Sequence, residues 1–283
     1  MRETKSMTLQ KAFEFGRKTL EDAGIEDAQV DAWLLLEHVT GITRAVYYMD
    51  TNKELTLGQE QSYRDCLARR AKRIPLQHIT GIQEFMGMDF CVNEHVLIPR
   101  QDTEVLVESV LDELGFGMKI LDMCTGSGCI LVSLLKRKPG TVGVGADISG
   151  EALRVAEINC RKHHVEAELI QSDLFENLTG TYDVIVSNPP YIRTAMIAEL
   201  QEEVRLHDPK LALDGKEDGL YFYREIVAKS PTFLNAGGRL CLEIGHDQGA
   251  DVRTLMEEAG FVHVTVKKDL AGLDRVVFGK YNK

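Results

Sequence analysis

Four short stretches carry the residue types that could do chemistry, and each follows an apolar run. Ser187-Asn188-Pro189-Pro190-Tyr191 comes directly after Tyr182-Asp183-Val184-Ile185-Val186, which is rich in β-branched residues and reads as a buried strand. Prolines cannot continue a central strand, so the chain leaves the sheet stiffly with Asn188 at the strand's carboxyl end. Open α/β sheets bind their ligands along that edge. Cys124-Thr125-Gly126-Ser127-Gly128 follows Lys119-Ile120-Leu121-Asp122, and its glycines let the backbone turn tightly and come near a ligand. Asp147 closes a second run about twenty residues later, placed to accept hydrogen bonds from ribose hydroxyls, and Asp173 closes a third. Singly these signals are weak. An Asn-Pro pair also marks a plain loop exit, and CTGSGCI spells neither GxGxxG nor a P-loop, which needs a following lysine. In sheet order they point together to a nucleoside-containing cofactor.

The elements that must position these residues alternate strand and helix from residue 119 onward, the pattern of a parallel sheet covered on both faces. Strands are expected at 119–122, 142–148, 167–172, up to Asn188, and at 239–244. Helices bearing Ile130, Leu131, Leu134 and Leu135, and another capped by Ser149, lie between the first of them. Two final strands, 262–266 and 275–278, are separated by a segment of hairpin length, so the last should run antiparallel. Ahead of this, Asp102 or Thr103 is expected to cap a helix carrying Leu106, Val110, Leu111 and Leu114, with Arg100 projecting just before it. On local grounds Arg100 reads first as a surface ion pair.

Residues 8–75 lack strand alternation and read as helices. Thr8 caps the first, which ends at Gly24; the second starts near Asp27, carries Trp33 as a core residue and stops at Gly41. Thr56 and Gln59 spell a capping box for a third, which Pro75 is expected to close. About seventy residues of helix support themselves only marginally, so this part suits partner binding better than chemistry. Residues 76–97, with glycines at 81 and 87 and alternation through 84–92, read as a hairpin between the two parts. The domain reading is therefore a helical substrate-recognition domain at 1–75, a hairpin linker at 76–97 and a catalytic α/β domain at 98–283.

Composition excludes some classes. The chain has 283 residues, 44% hydrophobic and 27% charged, with no run approaching the roughly 18 uncharged apolar residues of a membrane span. MRETKSMTLQ lacks the apolar core of a secretory signal. The six cysteines include no CxxC pair and form no metal framework, which suits free thiols in a reducing cytoplasm. The net charge of −11 argues against a direct nucleic-acid partner. The single basic cluster, Arg64, Arg69, Arg70, Lys72 and Arg73, falls on one expected helix and reads as a solvated face, with an RNA or an acidic partner left open. His163, His164, His246 and His263 read as surface or core residues rather than catalysts.

The order LDMCTGSGCI, ADIS, QSDLF, IVSNPPY, LEIG and DRVVF resembles class I S-adenosylmethionine-dependent methyltransferases. Adding PLQHITGIQEFMGMDF, VLIPRQDTE and DPKLALDG, the chain is similar over nearly its whole length to the HemK/PrmC family of peptide chain release factor glutamine N5-methyltransferases. NPPY alone is shared with several amino-group methyltransferases, whereas LIPR..TE followed by NPPYI is far more specific.

The resemblance implies a seven-stranded, Rossmann-like class I methyltransferase sheet with a small helical bundle in front, joined by the hairpin. It further implies S-adenosylmethionine as cofactor, S-adenosylhomocysteine as product, and a protein substrate, the glutamine of the Gly-Gly-Gln motif of release factors. Cys124, Thr125, Gly126, Ser127 and Gly128 would line the methionine part of the cofactor, Asp147 the ribose and Asp173 with Leu174 the adenine edge. Asn188 would serve both cofactor and substrate, and Asn188, Pro189, Pro190 and Tyr191 would hold the glutamine amide, with Arg100 in support. The chain departs from the family pattern at Cys124, where a glycine is usual, at Gln101 for proline, at Asp102 for a frequent glutamate, and at His207 for an acidic residue.

An amide nitrogen is a poor nucleophile because its lone pair is delocalised into the carbonyl. The Asn188 side-chain oxygen and the Pro189 carbonyl can accept its two hydrogens and fix it in line with the methyl donor, while Tyr191 packs on the amide plane. No general base is needed before attack. A nucleic-acid amino methyltransferase would ask the same of NPPY, and a non-catalytic cofactor- or translation-factor-binding protein is the alternative from another class. A dehydrogenase fits the glycine pattern poorly.

Overall fold

Apolar spacing of three and four gives way to alternation after residue 80, and the secondary structure changes there too. In the computed structural model, which describes residues 7–282, the chain opens with helices α1 (Leu9–Asp22), α2 (Ala28–Thr40), α3 (Arg44–Met49), α4 (Leu57–Arg70) and α5 (Leu76–Thr80). A hairpin of β1 (Ile82–Phe85) and β2 (Met88–Cys91) leads to α6 (Glu104–Leu111), β3 (Lys119–Met123), α7 (Cys129–Arg137), β4 (Val142–Asp147), α8 (Gly150–His163), β5 (Ala167–Gln171) and β6 (Tyr182–Ser187). Two short helices, α9 (Glu202–His207) and α10 (Lys210–Leu213), precede α11 (Tyr221–Phe233), β7 (Leu234–Glu243), α12 (Gly249–Glu258), β8 (Phe261–Lys268) and β9 (Asp274–Tyr281). None of the described helices is long and apolar enough to cross a membrane.

Contacts divide the chain into two units: residues up to Gly81 together with Glu202–His207, and Ile82–Gln201 together with the residues from Asp208 onward. In the helical unit, Thr8 accepts from the Lys11 amide, and Thr56 with Gln59 forms a complete capping box. Leu9, Leu20, Leu35, Leu36 and Leu67 are buried. Trp33, 5% exposed, meets Phe13 and Tyr47 edge-on.

Pro75 does not close the third long helix. α4 ends at Arg70, Arg73 turns into the left-handed region at φ 67°, and Pro75 precedes α5 instead. The basic cluster is likewise not one solvated face. Lys72 and Arg73 lie beyond the helix, and Arg70 is buried, bonded to Asp31 at 2.6 Å and to Glu203 at 3.0 Å. Arg73 also reaches Glu203, at 3.3 Å, so much of this positive charge is matched inside the unit by α2 and by a segment from the far half of the chain. Removing either partner of a buried pair leaves an uncompensated charge, which is why such pairs are retained once formed.

The second unit is built on a seven-stranded sheet ordered β5-β4-β3-β6-β7-β9-β8. β3 to β7 pair in parallel, and β9 runs antiparallel between β7 and β8. The last strand is antiparallel as its short connection requires, and it inserts inside the edge rather than forming it. Successive side chains alternate between two cores. Leu121, Met123, Ile185, Leu240 and Leu242 face Tyr223, Ile226, Val252 and Met256 of α11 and α12; Ile120, Val184, Val186 and Cys241 face α6, α7 and the hairpin residues Phe85 and Phe90. The hairpin is thus part of this core. Burial of a phenylalanine such as Phe90 contributes about 1.5–3 kcal/mol.

Neither Asp102 nor Thr103 caps α6 with its side chain; a 3-10 turn, Gln101–Thr103, leads in instead. Both side chains are otherwise engaged: Asp102 pairs with Arg275 at 3.2 Å, and the Thr103 hydroxyl receives the Asn188 amide at 3.4 Å.

Candidate active site

Parallel register brings the four strand ends level. Met123 lies beside Ala146 and Ser187, and Asp147 beside Gln171, so every residue singled out after them emerges on one edge. A cavity of about 320 Å³ opens there, within the range of small-molecule sites. Cys124, Thr125, Gly126, Ser127, Asp147, Asp173, Leu174, Asn188, Pro190 and Arg100 line it. Gly128, Pro189 and Tyr191 do not.

The first wall is a loop made of unusual backbone. Cys124, Gly126 and Gly128 all have positive φ, at 60°, 55° and 77°. Gly128 also needs its missing side chain, because a Cβ would lie 3.1 Å from the Ala156 Cβ where α7 packs on α8. Around Gly126 there is open space, so its requirement is the backbone angle alone. Cys124 takes the same region with a side chain, which costs about 1–2 kcal/mol. Thr125 anchors the loop by donating to Asp122 at 2.6 Å and, through its amide, to the Ala146 carbonyl at 3.0 Å. Asp147 closes it from β4, accepting from the Gly126 and Ser149 amides at 2.9 Å each. Those oxygens keep further lone pairs for ligand hydroxyls. The donor set and the open face over Gly126 fit a nucleoside-bearing cofactor.

The second wall is the corner after β6. Ser187 donates to the Met123 carbonyl at 2.6 Å, tying the two walls together, and Asn188 donates to Thr103. Tyr191 turns away from the cavity. Burial raises its phenol, and the buried Glu243 carboxylate adds to the effect. The Gln248 amide, 2% exposed, donates to the Tyr191 carbonyl at 3.1 Å and to that of Gly219 at 3.2 Å. Gly215 and Gly219 press on Tyr191 so closely that a Cβ would come within 2.7 Å and 2.5 Å of its backbone. Asn159, wholly buried, ties the first wall to the hairpin: its side chain bonds both backbone groups of Cys91 and the Ser127 carbonyl.

Three carboxyls around the site are buried and pushed up: Asp122 to about 7 against its bond from Thr125, Glu243 to about 7 against Thr103 and Arg275, and Asp208 to about 6 against Arg100. Arg100 does form an ion pair, with Asp208 at 2.9 Å, yet it stays 45% exposed on the cavity wall. Burial pushes the Cys124 thiol well up as well, so it is no nucleophile.

Residues 11–81 match the PrmC N-terminal domain family, and residues 100–205 match the methyltransferase small domain. A release factor glutamine methyltransferase of Geobacter sulfurreducens is 42% identical, over 96% of this chain and 96% of its own length. That of Caulobacter vibrioides is also 42% identical, over 98% of each. The chain belongs to the release factor glutamine methyltransferase family. A solved methyltransferase from Pyrococcus furiosus shares the fold, with TM-score 0.54 over 77% of this chain and 99% of that one, at 15% identity.

In this family member several residues of the site carried no legible sign. Gln248, Thr103 and Asn159 act across 57, 85 and 68 positions of chain, and no spacing rule connects them. Gly215 and Gly219 could have been suspected from DGKEDG, two glycines bracketing a polar turn.

Proposed function

We infer that the protein transfers the methyl group of S-adenosylmethionine to the side-chain amide nitrogen, N5, of the glutamine in the Gly-Gly-Gln motif of peptide chain release factors. The observation that carries this reading is Asn188 on the wall of the cavity that also holds the glycine loop, Asp147 and Asp173. Membership of the family, with relatives of that name over nearly the whole chain, supports the substrate class.

In this reading residues 124–128 hold the methionine part of the cofactor, Asp147 the ribose, and Asp173 with Leu174 the adenine edge. When bound, the cofactor supplies an electrophilic methyl group on its sulfonium. The chain's task is then to position the substrate amide. The Asn188 Oδ1 accepts no hydrogen bond from the described residues and takes one amide hydrogen; the Pro189 carbonyl takes the other. Drawing both hydrogens into one plane aims the nitrogen and lowers amide conjugation. Such orientation is worth roughly 7–11 kcal/mol of barrier. Pro189 and Pro190 keep the carbonyl aimed, and Tyr191 holds the turn from behind. Arg100, paired yet exposed, is placed to meet a negative group in the cavity.

The domain division at 1–75, 76–97 and 98–283 belongs to the same reading, with the helical part gripping the release factor. Tyr48, Met49 and Leu57, 75%, 84% and 74% exposed, give it apolar surface for that task. We place the protein in the cytoplasm, where its six free cysteines stay reduced. Incubation with methyl-labelled cofactor and purified release factor should label that glutamine alone. Label on an oligonucleotide and none on the release factor would overturn the reading.

A further inference from the structure

We propose that the turn between β8 and β9, Leu270-Ala271-Gly272-Leu273, is a docking post for the release factor beside the mouth of the site, its two leucines seating against an apolar patch of that protein. The inference rests on the reading that a release factor brings its glutamine to Asn188. It adds a contact surface within the sheet unit, apart from the Asn-Pro-Pro-Tyr corner and from the helical unit.

Strand register puts this turn on the ligand edge. Leu242 of β7 lies level with Ser187 of β6 on one side and with Val277 of β9 on the other. The last pair between β8 and β9, Lys268 with Asp274, is three residues further out, so the turn begins roughly 10 Å beyond the level of Ser187. β9 lies two strands from β6, a sideways distance of about 10 Å. A standard protein interface covers about 800 Å² on each partner, a disc roughly 16 Å in radius. A release factor centred on Asn188 therefore has the turn within its footprint.

The turn is built to stand still with its leucines outward. Buried Asp269 accepts from the Ala271 amide at 2.9 Å and the Leu273 amide at 3.0 Å, and its own amide donates to the Leu273 carbonyl at 2.8 Å. Gly272 supplies the left-handed angle, φ 81°. Arg275 bonds Asp269 at 3.0 Å and Asp102 at 3.2 Å, and Asp102 stands in the chain between Arg100 and Thr103, two residues of the cavity wall. The turn is thus fastened to the lip of the site. Leu270 is fully exposed and Leu273 is 46% exposed. Leucines scattered singly on a surface carry no message; two on a turn clamped by a buried ion pair are already ordered, so docking them costs little conformational entropy. The mouth has the same character, since Ile148, Leu211 and Tyr221 line the cavity and are also exposed. The four turn residues bear no cation, so they suit an apolar patch of a protein and not a phosphate backbone.

The test measures methylation of intact release factor and, separately, its Kd for the enzyme. Leu270→Asp puts an unpaired charge into the contact and should raise KM and Kd for the release factor about tenfold, with kcat and the calorimetric Kd for S-adenosylmethionine within about twofold of wild type. Leu270→Ser should raise them by less, and Leu270→Ser with Leu273→Ser by more than Leu270→Ser alone. A fully exposed side chain has no packing to lose, so Tm should stay in place. Phe116, 91% exposed ahead of β3 at the opposite edge of the sheet, is the control: Phe116→Asp should leave KM and Kd for the release factor unchanged. Unchanged release-factor KM and Kd in the Leu270 variants would overturn the proposal while methylation by wild type stands. A changed oligomeric state in Leu270→Asp, with release-factor KM and Kd untouched, would assign the turn to a second copy of this chain and overturn it too. Weakened release-factor binding by Leu270→Asp, in a protein whose wild type never labels the release factor, would uphold the post and overturn the substrate reading. A wild type that neither binds nor labels the release factor would overturn both.

Discussion

The two walls of the cavity solve one problem by opposite means. Both must hold polar groups still at a strand end. The glycine loop does so locally, with three positive φ values in five residues and supports that come from β3 and β4 next to it. The Asn-Pro-Pro-Tyr corner uses ordinary stiff backbone and takes its supports from far along the chain: Thr103, Gly215, Gly219 and Gln248. A wall that follows a ligand's outline can be made of backbone. A wall that must aim one amide oxygen needs side chains behind it.

That contrast predicts separable damage. Asn188→Ala should lower kcat by about a thousandfold or more, while the calorimetric Kd for S-adenosylmethionine changes by no more than about threefold. Asp147→Ala should do the reverse, weakening cofactor binding by about a hundredfold, because it removes a ligand acceptor and frees the Gly126 amide. Equal loss of binding in both variants would erase the distinction between the walls.

A smaller effect tests the distant supports. Gln248→Ala removes the clamp on the Tyr191 and Gly219 carbonyls, and should lower kcat about tenfold with cofactor Kd unchanged. An unchanged kcat would show that the prolines hold the corner by themselves.

Titration sharpens the comparison further, since each wall has its own buried carboxyl pushed up to about 7, Asp122 under the loop and Glu243 behind the corner. Between the ordinary carboxylate range and about 7, the folded protein binds more protons than the unfolded one. These groups therefore contribute most at acid pH, and the contribution is lost as pH rises toward and through 7. Asp122→Asn should gain thermal stability relative to wild type as pH goes from about 5 to about 8. A constant difference in Tm across that range would contradict the burial argument.

The smallest effect concerns Cys124. Cys124→Gly relieves a left-handed side chain and should raise stability by about 1 kcal/mol, or about 2–4 °C in Tm. A lower Tm would mean that the buried thiol contributes more packing than its backbone angle costs.

The same contrast explains what could be read from the sequence. Strand ends at Asp122, Asp147 and Asn188 were legible because short apolar runs of buried-strand type stop there and polar or glycine residues follow at once. The loop was legible for the same reason, its supports lying within its own strands. β9 could be read as antiparallel from a short connection, but nothing local said that it would enter between β7 and β8. Pro75 looked like a helix stop because proline often is one; α4 instead ends at Arg70, and the backbone turns into the left-handed region at Arg73 before Pro75 is reached. The supports of the corner stayed hidden because a buried hydrogen bond across 57 or 85 positions leaves no period in the sequence.

The most direct test of the account is the mass of the release-factor peptide carrying Gly-Gly-Gln after incubation with S-adenosylmethionine, using wild type and Asn188→Ala side by side. The account predicts one added methyl group on that glutamine from wild type and none above background from Asn188→Ala, with both proteins binding the cofactor. Full methylation by Asn188→Ala, or an unmodified glutamine with wild type, would contradict it.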